Sequence, residues 1–425
     1  MGSLPLFLLF FILISAEPLA AKTFLEAYGD LRESLIEPTK YNFKVRPENE
    51  TVINITLDFR TLNKLDIGSQ TLTSTFLLYM SWIDERLTWP STTGIDYLIY
   101  SIKEMWTPNL VITNYVNDFG LIGIYEDGPV PLRVSNEGRV VWALRVATTT
   151  TCQADITYYP YDSQTCDVHV MEWAHPMSEV ELLPEGIVSS SFQSDGEWEL
   201  LDKTLQSGEE VGAHNLTYEK IKYTFSFQRQ FQWYIPLMMI PLGVLSLLMP
   251  GVFLVPVETG EKMSYALTVM LSFTVISSFL FETLPTVSIN YSLLGVYISS
   301  TMTCGALMIV GSLIVHYYNH VHPADDSDRL RTVKAIGTCA FVFFFSLLVL
   351  MLICFLCILN YPIADKSISV IGIMLGVPIV ASVIICSVVT IIACRNSPHI
   401  RDTDQQGGTQ QTEGEDTSAA TSSDL

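Results

Sequence analysis

Charged residues are scarce in this chain and almost absent from its second half. Only 16% of its 425 residues are Asp, Glu, Lys or Arg, whereas a soluble chain carries about a quarter. None of the four occurs in residues 233–257, 263–281, 283–324, 335–364 or 367–394. Each stretch can supply the ~20 apolar residues that cross a bilayer. A wholly soluble protein is therefore excluded, and the sequence predicts several membrane spans.

Basic residues are also few. The chain has 23 Lys and Arg against 44 Asp and Glu, which gives a net charge of −21. A protein that binds phosphate backbones carries a basic surface instead, so nucleic acid is not expected as a partner. Residues 22–232 hold 30 acidic and 16 basic residues, a composition typical of a folded polar domain with an acidic surface.

These changes in composition divide the chain into five parts. Residues 1–21 contain a short apolar run followed by small residues, the pattern of a secretory signal peptide; an uncleaved anchor is the alternative. Residues 395–425 have no aromatic residue, which predicts a disordered cytoplasmic tail. Between them we expect an extracellular domain at 22–232, a four-helix transmembrane domain at 233–359 and an additional transmembrane segment at 360–394. The four helices are predicted at 233–255, 262–284, 293–317 and 333–359.

Cysteine is nearly missing from the polar domain, which contains only Cys152 and Cys166. Two cysteines in an exported domain most economically form one disulfide, and this one would close a loop of 13 residues. A cross-link around a loop of about that length stabilises a fold by about 3 kcal/mol in the chain-entropy account. Sequons at Asn49, Asn54 and Asn215 predict glycosylation and agree with export.

Alternating apolar residues predict β-strands in this domain. Ile53, Ile55, Leu57 and Phe59 alternate with polar residues, which is the period of a strand that buries one face. Turn signals recur between such segments, at 127–129, 136–138 and 184–186. Residues 24–36 are an amphipathic helix candidate at the N-terminal edge. We therefore expect a β-sandwich of roughly 200 residues.

Several short motifs resemble one known family in order and spacing. The predicted disulfide loop contains Tyr159-Pro160-Tyr161-Asp162, and the other motifs are Trp82-Ile83-Asp84, Trp106-Thr107-Pro108-Asn109, Gly196-Glu197-Trp198 and Gly260-Glu261-Lys262. The set resembles the Cys-loop receptors, the pentameric ligand-gated ion channels, and is most similar to their nicotinic branch. The resemblance implies a β-sandwich extracellular domain followed by an α-helical transmembrane bundle, with five subunits around a central pore in the plasma membrane.

The second predicted span has a polar stripe along one face. Successive members of the stripe are three or four positions apart in the sequence, so they fall within an arc of about 80° on a helix. They are Ser264, Thr268, Leu271, Val275, Ser278 and Glu282. Hydroxyls and a carboxylate on one stripe of a membrane helix indicate the wall of a water-filled pore. Hydroxyls that bond their own backbone inside a packed bundle are the alternative interpretation.

Carboxylates at both ends of this span predict the charge of the permeating ion. Glu261 lies just before its cytoplasmic end and Glu282 at its outer end, and five copies would form two rings of carboxylates, which favour monovalent cations. Anion-selective relatives typically have Pro-Ala-Arg where this chain has Gly260-Glu261-Lys262. Leu271 and Val275 are expected to form the hydrophobic rings that close the pore.

The resemblance also implies residues that couple ligand binding to the pore. Arg229 matches the arginine that precedes the first span, and Tyr161 and Asp162 belong to the disulfide loop. Asp66 lies in a loop that resembles one meeting the linker after the pore helix, where Pro285 stands. A partly buried ion pair of Arg229 with an acidic partner is expected; a solvated interfacial arginine is the alternative.

The ligand site is where the chain departs from the family pattern. The resemblance places Trp173 and Tyr218 in the aromatic box that binds an ammonium group by cation–π attraction, with Tyr115 as a substitute. Core packing is the alternative for Trp173 and Tyr218. Acetylcholine is therefore not supported as the agonist, and a different amine, another small molecule or a co-subunit with a vacant principal face remains open. Non-aromatic residues stand at the other box positions: Thr113, Leu77 and Val211.

The outer domain contains three histidines. His169, His175 and His214 lack metal-ligand spacing, so we expect them at surface or strand-face positions. Neither a metal nor a cofactor is expected.

The fifth apolar segment is interpreted from the basic residues around the last two segments. Arg329, Arg331 and Lys334 form one cluster, and Arg395 and Arg401 follow later in the chain. By the positive-inside rule, they favour five spans; a re-entrant fifth segment is the alternative.

We therefore expect no enzyme but a subunit of an agonist-gated cation channel, as a homopentamer or as a heteropentamer with related subunits in the bilayer. A non-conducting accessory subunit of the same fold is the alternative function. No nucleophile–base or metal-ligand motif stands out in the sequence to suggest catalysis.

Overall fold

The computed structural model describes residues 23–116, 120–122, 130–212, 215–256, 260–284, 290–321, 327–360 and 376–388. The chain divides into a strand-rich unit and a helical unit. The first holds residues 23–156, 160–231 and 282–290 of the described chain, and the second holds 157–159, 232–281 and the rest. The predicted signal peptide and tail, together with His214 and Pro285, lie outside the described residues.

The strand-rich unit begins with one helix, α1 (Phe24–Leu35), followed by ten strands. Thr23 caps the helix, because its hydroxyl accepts from the Glu26 N–H while the Glu26 carboxylate accepts from the Thr23 N–H. The strands are β1 (Thr51–Asp66), β2 (Thr71–Thr88), β3 (Tyr97–Ser101), β4 (Leu110–Ile112), β5 (Pro131–Ser135), β6 (Glu137–Thr151), β7 (Ser163–Glu172), β8 (Val180–Val188), β9 (Trp198–Val211) and β10 (Thr217–Arg229).

The strands form two sheets that pack face to face. One has six strands in the order β3-β5-β6-β2-β1-β8, and the other has four in the order β4-β7-β10-β9. Aromatic rings from both sheets meet in the core: Phe59 of β1 stacks on Phe225 of β10 with 4.3 Å between ring centroids. Both side chains are completely buried, as the alternating pattern of β1 predicts. The predicted β-sandwich followed by a helical bundle is confirmed.

The disulfide between Cys152 and Cys166 is also confirmed. It joins the segment after β6 to β7 of the four-stranded sheet, and both cysteines are buried. The turn predicted at 136–138 is present between β5 and β6. Gly138 is required there because its φ is 78° and an added Cβ would lie 2.6 Å from the carbonyl oxygen of Asp84.

The turn predicted at 184–186 is wrong. These residues lie inside β8, which pairs in parallel with β1 as an edge strand of the six-stranded sheet. Ile55 pairs with Pro184 while Thr56 pairs with Gly186, so the strand carries a one-residue bulge at Glu185. An edge strand tolerates proline and a bulge because its outer N–H groups have no ladder partner. The turn predicted at 127–129 lies outside the described residues.

The helical unit opens with a broken helix. A short 3₁₀ turn (Phe231–Trp233), a π-helical segment (Ile235–Met239), α2 (Ile240–Leu248) and another 3₁₀ segment (Met249–Phe253) follow one another. Pro236, Pro241 and Pro250 fall at the starts of the last three segments. Proline cannot donate the hydrogen bond of a helix interior, which explains why the helical type changes along this span.

Three long helices and one shorter helix complete the unit: α3 (Lys262–Thr283), α4 (Leu293–Val321), α5 (Ser327–Asn360) and α6 (Gly376–Val388). Four segments are long and apolar enough to cross a membrane, at 231–253, 262–282, 293–317 and 333–359. The hydroxyls of Ser246 and Tyr297 share a buried hydrogen bond of 3.0 Å between α2 and α4. Tyr297 in turn stacks on Phe355 of α5, with centroids 5.0 Å apart, so α4 packs against both neighbours.

Helix α6 lies within the predicted fifth segment and packs against α5. The Cys386 thiol lies 3.8 Å from the carbonyl oxygen of Cys339, and Ser382 on the same helix is completely buried. With 13 residues the described helix is about 20 Å long. It is shorter than the bilayer core, and the rest of the predicted segment lies outside the described residues.

Candidate functional site

Trp173 and Tyr218 come together at one end of the four-stranded sheet. Trp173 follows the last residue of β7, and Tyr218 is the second residue of β10. The pairing of the two strands ends with Lys220 opposite Met171, two residues from each aromatic. A hydrogen bond of 2.8 Å from the Met177 N–H to the Thr217 carbonyl holds the loop after Trp173 at this position.

Strand alternation turns both aromatics away from the core. Their neighbours Glu172 and Glu219 are buried, with 1% and 9% of their surface exposed. Successive side chains of a strand point to opposite faces, which puts Trp173 and Tyr218 on the outer face. Trp173 is 50% exposed, so a face of its ring is accessible to a ligand.

Tyr115 is held by other neighbours. Its N–H bonds to the carbonyl of Ile112, and it forms a β-bridge with Thr150 of β6. The backbone of Trp173 instead bonds to Asn109, before β4. The backbone contacts of Tyr115 and Trp173 therefore fall at opposite ends of β4.

The remaining box positions have no aromatic ring. Thr113 is exposed, and its N–H bonds to His169. Leu77 lies on β2 of the six-stranded sheet opposite Arg145, and Val211 is 65% exposed at the end of β9. Two aromatics of the family pattern, Trp173 and Tyr218, thus share one surface.

Charged side chains of both signs surround Tyr218. The Lys220 ammonium pairs with Glu210 at 2.8 Å, and Lys222 pairs with Asp167 at 2.9 Å. His169 lies opposite Lys222 in the sheet; burial first, and then Lys220, lower the pKa of its imidazole. His169 is therefore neutral at physiological pH, and the two ion pairs leave this surface close to neutral overall.

Glu172 and His175 form a contact that sequence reasoning missed. Nδ1 of His175 lies 2.9 Å from Oε1 of Glu172, and the Ala174 N–H donates to the same oxygen at 3.3 Å. The other oxygen, Oε2, is buried without a hydrogen-bond partner. Burial raises the pKa of the Glu172 carboxyl. The predicted surface position of His175 is only partly correct, since its side chain is 22% exposed.

Arg229, a predicted coupling residue at the end of β10, is almost completely buried. Its Nε donates to Oδ1 of Asp162 at 2.8 Å and its Nη2 to Oδ2 at 3.2 Å, so the pair is bidentate. Nη1 donates to Glu197, and the guanidinium carbon lies 4.1 Å from the centroid of the Trp198 ring. The side chains of Arg229 and Asp162 are 3% and 1% exposed, so the expected ion pair is more deeply buried than the sequence suggested.

The other coupling candidates have local partners. Asp66 accepts from the Lys64 ammonium at 2.5 Å and from the Ser69 N–H, and the Lys64 contact lowers the pKa of its carboxyl. The ring of Tyr161 packs on Phe231 with centroids 4.3 Å apart. Tyr159 belongs to the helical unit, where its ring lies 5.7 Å from that of Tyr234.

The polar stripe of α3 is exposed along its whole length. Leu271 is 65% and Val275 48% exposed, and the opposite stripe is buried, including Phe273 at 0%. The hydroxyls of Thr268 and Ser278 donate to backbone carbonyls four residues earlier. Such bonds leave the oxygen lone pairs available to water. The exposed residues of the stripe are Ser264, Thr268, Leu271, Val275, Ser278 and Glu282.

The charged residues before α3 differ in burial. Glu261 is exposed, and its carbonyl accepts from the Tyr265 N–H at 2.9 Å to start the helix. Lys262 is buried, with its ammonium 5.9 Å from the centroid of the Phe253 ring. The exposed charge at this end of the helix is therefore the carboxylate.

The three predicted glycosylation sites differ in accessibility. Asn49 and Asn215 are exposed, and Asn54 is half-buried within β1. Asn215 has a φ of 61°, in the left-handed region that asparagine adopts in tight turns. Among the described residues, no group of three His, Cys, Asp or Glu side chains could hold a metal ion.

Two family models match the chain. The model of the "Neurotransmitter-gated ion-channel ligand binding domain" matches residues 29–231. The model of the "Neurotransmitter-gated ion-channel transmembrane region" matches residues 234–346. Together they cover well over half of the chain.

Curated relatives are similar at low identity. The chain is 26% identical to the neuronal acetylcholine receptor subunit beta-4 of Homo sapiens over 302 residues, which is 69% of this chain and 59% of the relative. It is 26% identical over 301 residues to the neuronal acetylcholine receptor subunit beta-2 of Gallus gallus, covering 69% of this chain and 60% of the relative. The chain thus spans less than two thirds of the length of these relatives.

The buried ion pair leads to a stability prediction. Asp162→Asn removes the charge that neutralises Arg229 and should destabilise the strand-rich unit by about 3–5 kcal/mol, because a buried guanidinium loses its main partner. Thermal unfolding of the purified full chain, followed by loss of its gel-filtration peak, measures the effect. Glu37→Gln, which removes an exposed ion pair with Lys40, is the matched control and should leave the melting temperature unchanged. Equal melting temperatures for both variants would contradict the prediction.

Proposed function

The chain belongs to the neurotransmitter-gated ion-channel family, and we propose that it is a pore-forming subunit of a cation-selective channel opened by an extracellular small molecule. The family consists of ligand-gated ion channels of the plasma membrane, not of enzymes, and its members form pentamers. The observation that carries the proposal is the exposed polar stripe of α3, with Glu261 before one end and Glu282 at the other.

The stripe has the chemistry of a pore wall. A helix that faced only lipid or its own bundle would not need to expose Ser264, Thr268, Ser278 and a carboxylate on one side. Five copies around an axis would place these groups in contact with water, and the two glutamates would form rings that attract cations. Leu271 and Val275 in the middle of the stripe would form apolar rings that exclude water when they approach one another.

An exposed apolar patch on the six-stranded sheet supports contact with neighbouring subunits. Ile83, Ile99 and Val141 are 42%, 56% and 36% exposed. The register places Ile83 opposite Arg139, and both Ile99 and Val141 opposite Arg133. Apolar residues mixed with arginine are typical of protein interfaces. The patch suits an acidic neighbour, which a second copy of this chain or a related subunit provides.

The agonist would bind beside Trp173 and Tyr218. An exposed tryptophan face attracts an organic cation, yet the two aromatics make an incomplete cage because Thr113, Leu77 and Val211 supply no ring. The site therefore favours a small amine that also uses polar contacts over a quaternary ammonium held by aromatics alone. The incomplete cage is also the observation that keeps the accessory subunit as a second candidate.

Recording from cells that express only this chain tests the proposal. We expect a current when a panel of biogenic amines and amino acids is applied. Leu271→Thr should increase agonist sensitivity about tenfold or more or cause leak, because a ring of polar side chains no longer excludes water from the closed pore. Surface biotinylation controls for delivery to the membrane. No current from surface-expressed chain, together with altered currents when a nicotinic subunit is co-expressed, would support the accessory subunit instead.

The carboxylate before α3 predicts the selectivity of that current. Glu261→Gln should lower the permeability of sodium relative to chloride, because five charges leave the cytoplasmic ring of the pore. Reversal potentials in sodium chloride dilutions measure the change. Glu258→Gln changes a carboxylate three residues earlier in the sequence, outside the proposed stripe, and is the control. An unchanged reversal potential in Glu261→Gln would exclude this carboxylate as a selectivity residue.

We further propose that α6 is part of a fifth span and that the tail is cytoplasmic. Cys339 is the seventh residue of the span at 333–359 and contacts Cys386 near the end of α6. The end of α6 therefore lies beside the part of that span that is nearest the basic cluster of Arg329, Arg331 and Lys334. An epitope tag after Leu425 should therefore be stained by antibody only after permeabilisation, whereas a tag before Thr23 should be stained on intact cells. Staining of the C-terminal tag on intact cells would refute this topology.

A further inference from the structure

Behind the exposed aromatic pair lies a pair of buried acids. Glu172 ends β7 and Glu219 lies near the start of β10, and both are buried, with 1% and 9% of their surface exposed. Each acid is the chain neighbour of an aromatic. A change in charge at either acid would act directly on the backbone that carries Trp173 or Tyr218.

The two acids differ in their hydrogen-bond partners. Glu219 accepts from the Leu182 N–H at 2.8 Å and from the Ser207 hydroxyl at 2.6 Å, one donor on each oxygen. Glu172 has the His175 and Ala174 donors on Oε1, while its Oε2 is buried without a hydrogen-bond partner. Glu172 is therefore the one of the two acids that has an unsatisfied buried oxygen.

His175 is the titratable group in contact with Glu172. It follows Glu172 by three residues on the loop that carries Trp173, and its ring lies 6.3 Å from that of Trp106. From the β4 side the neighbours are Leu110, opposite Glu172 in the sheet, and Trp106, which do not titrate. Besides burial, the groups that act on the Glu172 carboxyl are His175 and the backbone amides of Ala174 and Asn109. The charge balance at Glu172 thus depends on His175.

We propose that Glu172 and His175 form a proton-sensitive clamp that positions Trp173 at the ligand site. While Glu172 is ionised, it accepts from the His175 imidazole and from the Ala174 N–H, which closes the loop of residues 173–175 on itself. Glu172 and His175 are positioning residues, because they act through Trp173. The proposal rests on the proposed function in assigning ligand contact to Trp173.

Protonation would open the clamp for a simple electrostatic reason. A neutral Glu172 is a weaker hydrogen-bond acceptor than the carboxylate, so it holds the half-buried His175 ring and the Ala174 N–H less strongly. Because the His175 side chain is already 22% exposed, it can turn into water. The loop then loses its hold on Trp173. Burial raises the pKa of Glu172, so this change occurs at a higher pH than the ordinary glutamate value of about 4.3.

Tryptophan fluorescence of the purified full chain in lipid nanodiscs tests the clamp without any agonist or current. The difference between wild type and Trp173→Phe isolates the emission of Trp173 among the seven tryptophans. We expect a sigmoidal change of this emission on titration from pH 8 to about pH 4.5, with a midpoint above the ordinary value. Glu172→Gln should abolish the transition, and His175→Gln should abolish or displace it.

The controls separate the clamp from general acid effects and from the channel function. His169→Gln changes a nearby histidine that faces away from Glu172 and should keep the transition. Hydrogen exchange of residues 173–177 in the wild type should be faster at acid pH after correction for intrinsic rates, which tests the clamp even if Glu172→Gln fails to fold. A transition retained in Glu172→Gln, its absence in wild type, or unchanged exchange would overturn the proposal. A chain without current that shows the transition would refute the proposed function and leave the clamp standing.

Discussion

Arg229 has a guanidinium that is almost inaccessible to water, and the arrangement of one end of the sandwich depends on how that charge is neutralised. Asp162 from the disulfide loop binds it in a bidentate manner, Glu197 binds it from the segment before β9, and the Trp198 ring covers it. A single cation thus ties together segments that are distant in sequence. Since an unpaired buried charge costs several kcal/mol, separating these segments from Arg229 would be strongly unfavourable.

The alternation of strand residues creates both the exposed aromatic pair and the buried acids next to it in the chain. On β7 and β10 the same step in register that exposes Trp173 and Tyr218 buries Glu172 and Glu219. The surface is close to neutral because Lys220 and Lys222 are each paired with a carboxylate. In the core, Oε2 of Glu172 is buried without a hydrogen-bond partner.

In the helical unit, the division of α3 into a buried and an exposed stripe follows from where its apolar and polar residues fall. Phe273 and Leu280 pack inside while Leu271 and Val275 remain exposed, so apolar character alone does not decide burial. A single subunit leaves a mixed polar and apolar stripe open to solvent, which is the surface that a pentamer would enclose. The prolines of the first span keep that segment irregular without removing it from the bundle.

Much of this protein could be predicted from its sequence because the signals are local. The positions of the membrane spans follow from runs without charge, and the strand core follows from alternation such as that of Ile53 to Phe59. The disulfide follows from the only two cysteines in the sequence of the domain. The family follows from ordered motifs, and the family models confirm it. The tertiary structure alone decided which partners meet. Asp162 and Glu197 both bind Arg229, and His175 contacts Glu172. Tyr115 has backbone neighbours that differ from those of Trp173. Residues 184–186 form a bulge in edge strand β8 and not the turn that the sequence predicts. These contacts depend on strand register and burial, which no local pattern of residues specifies.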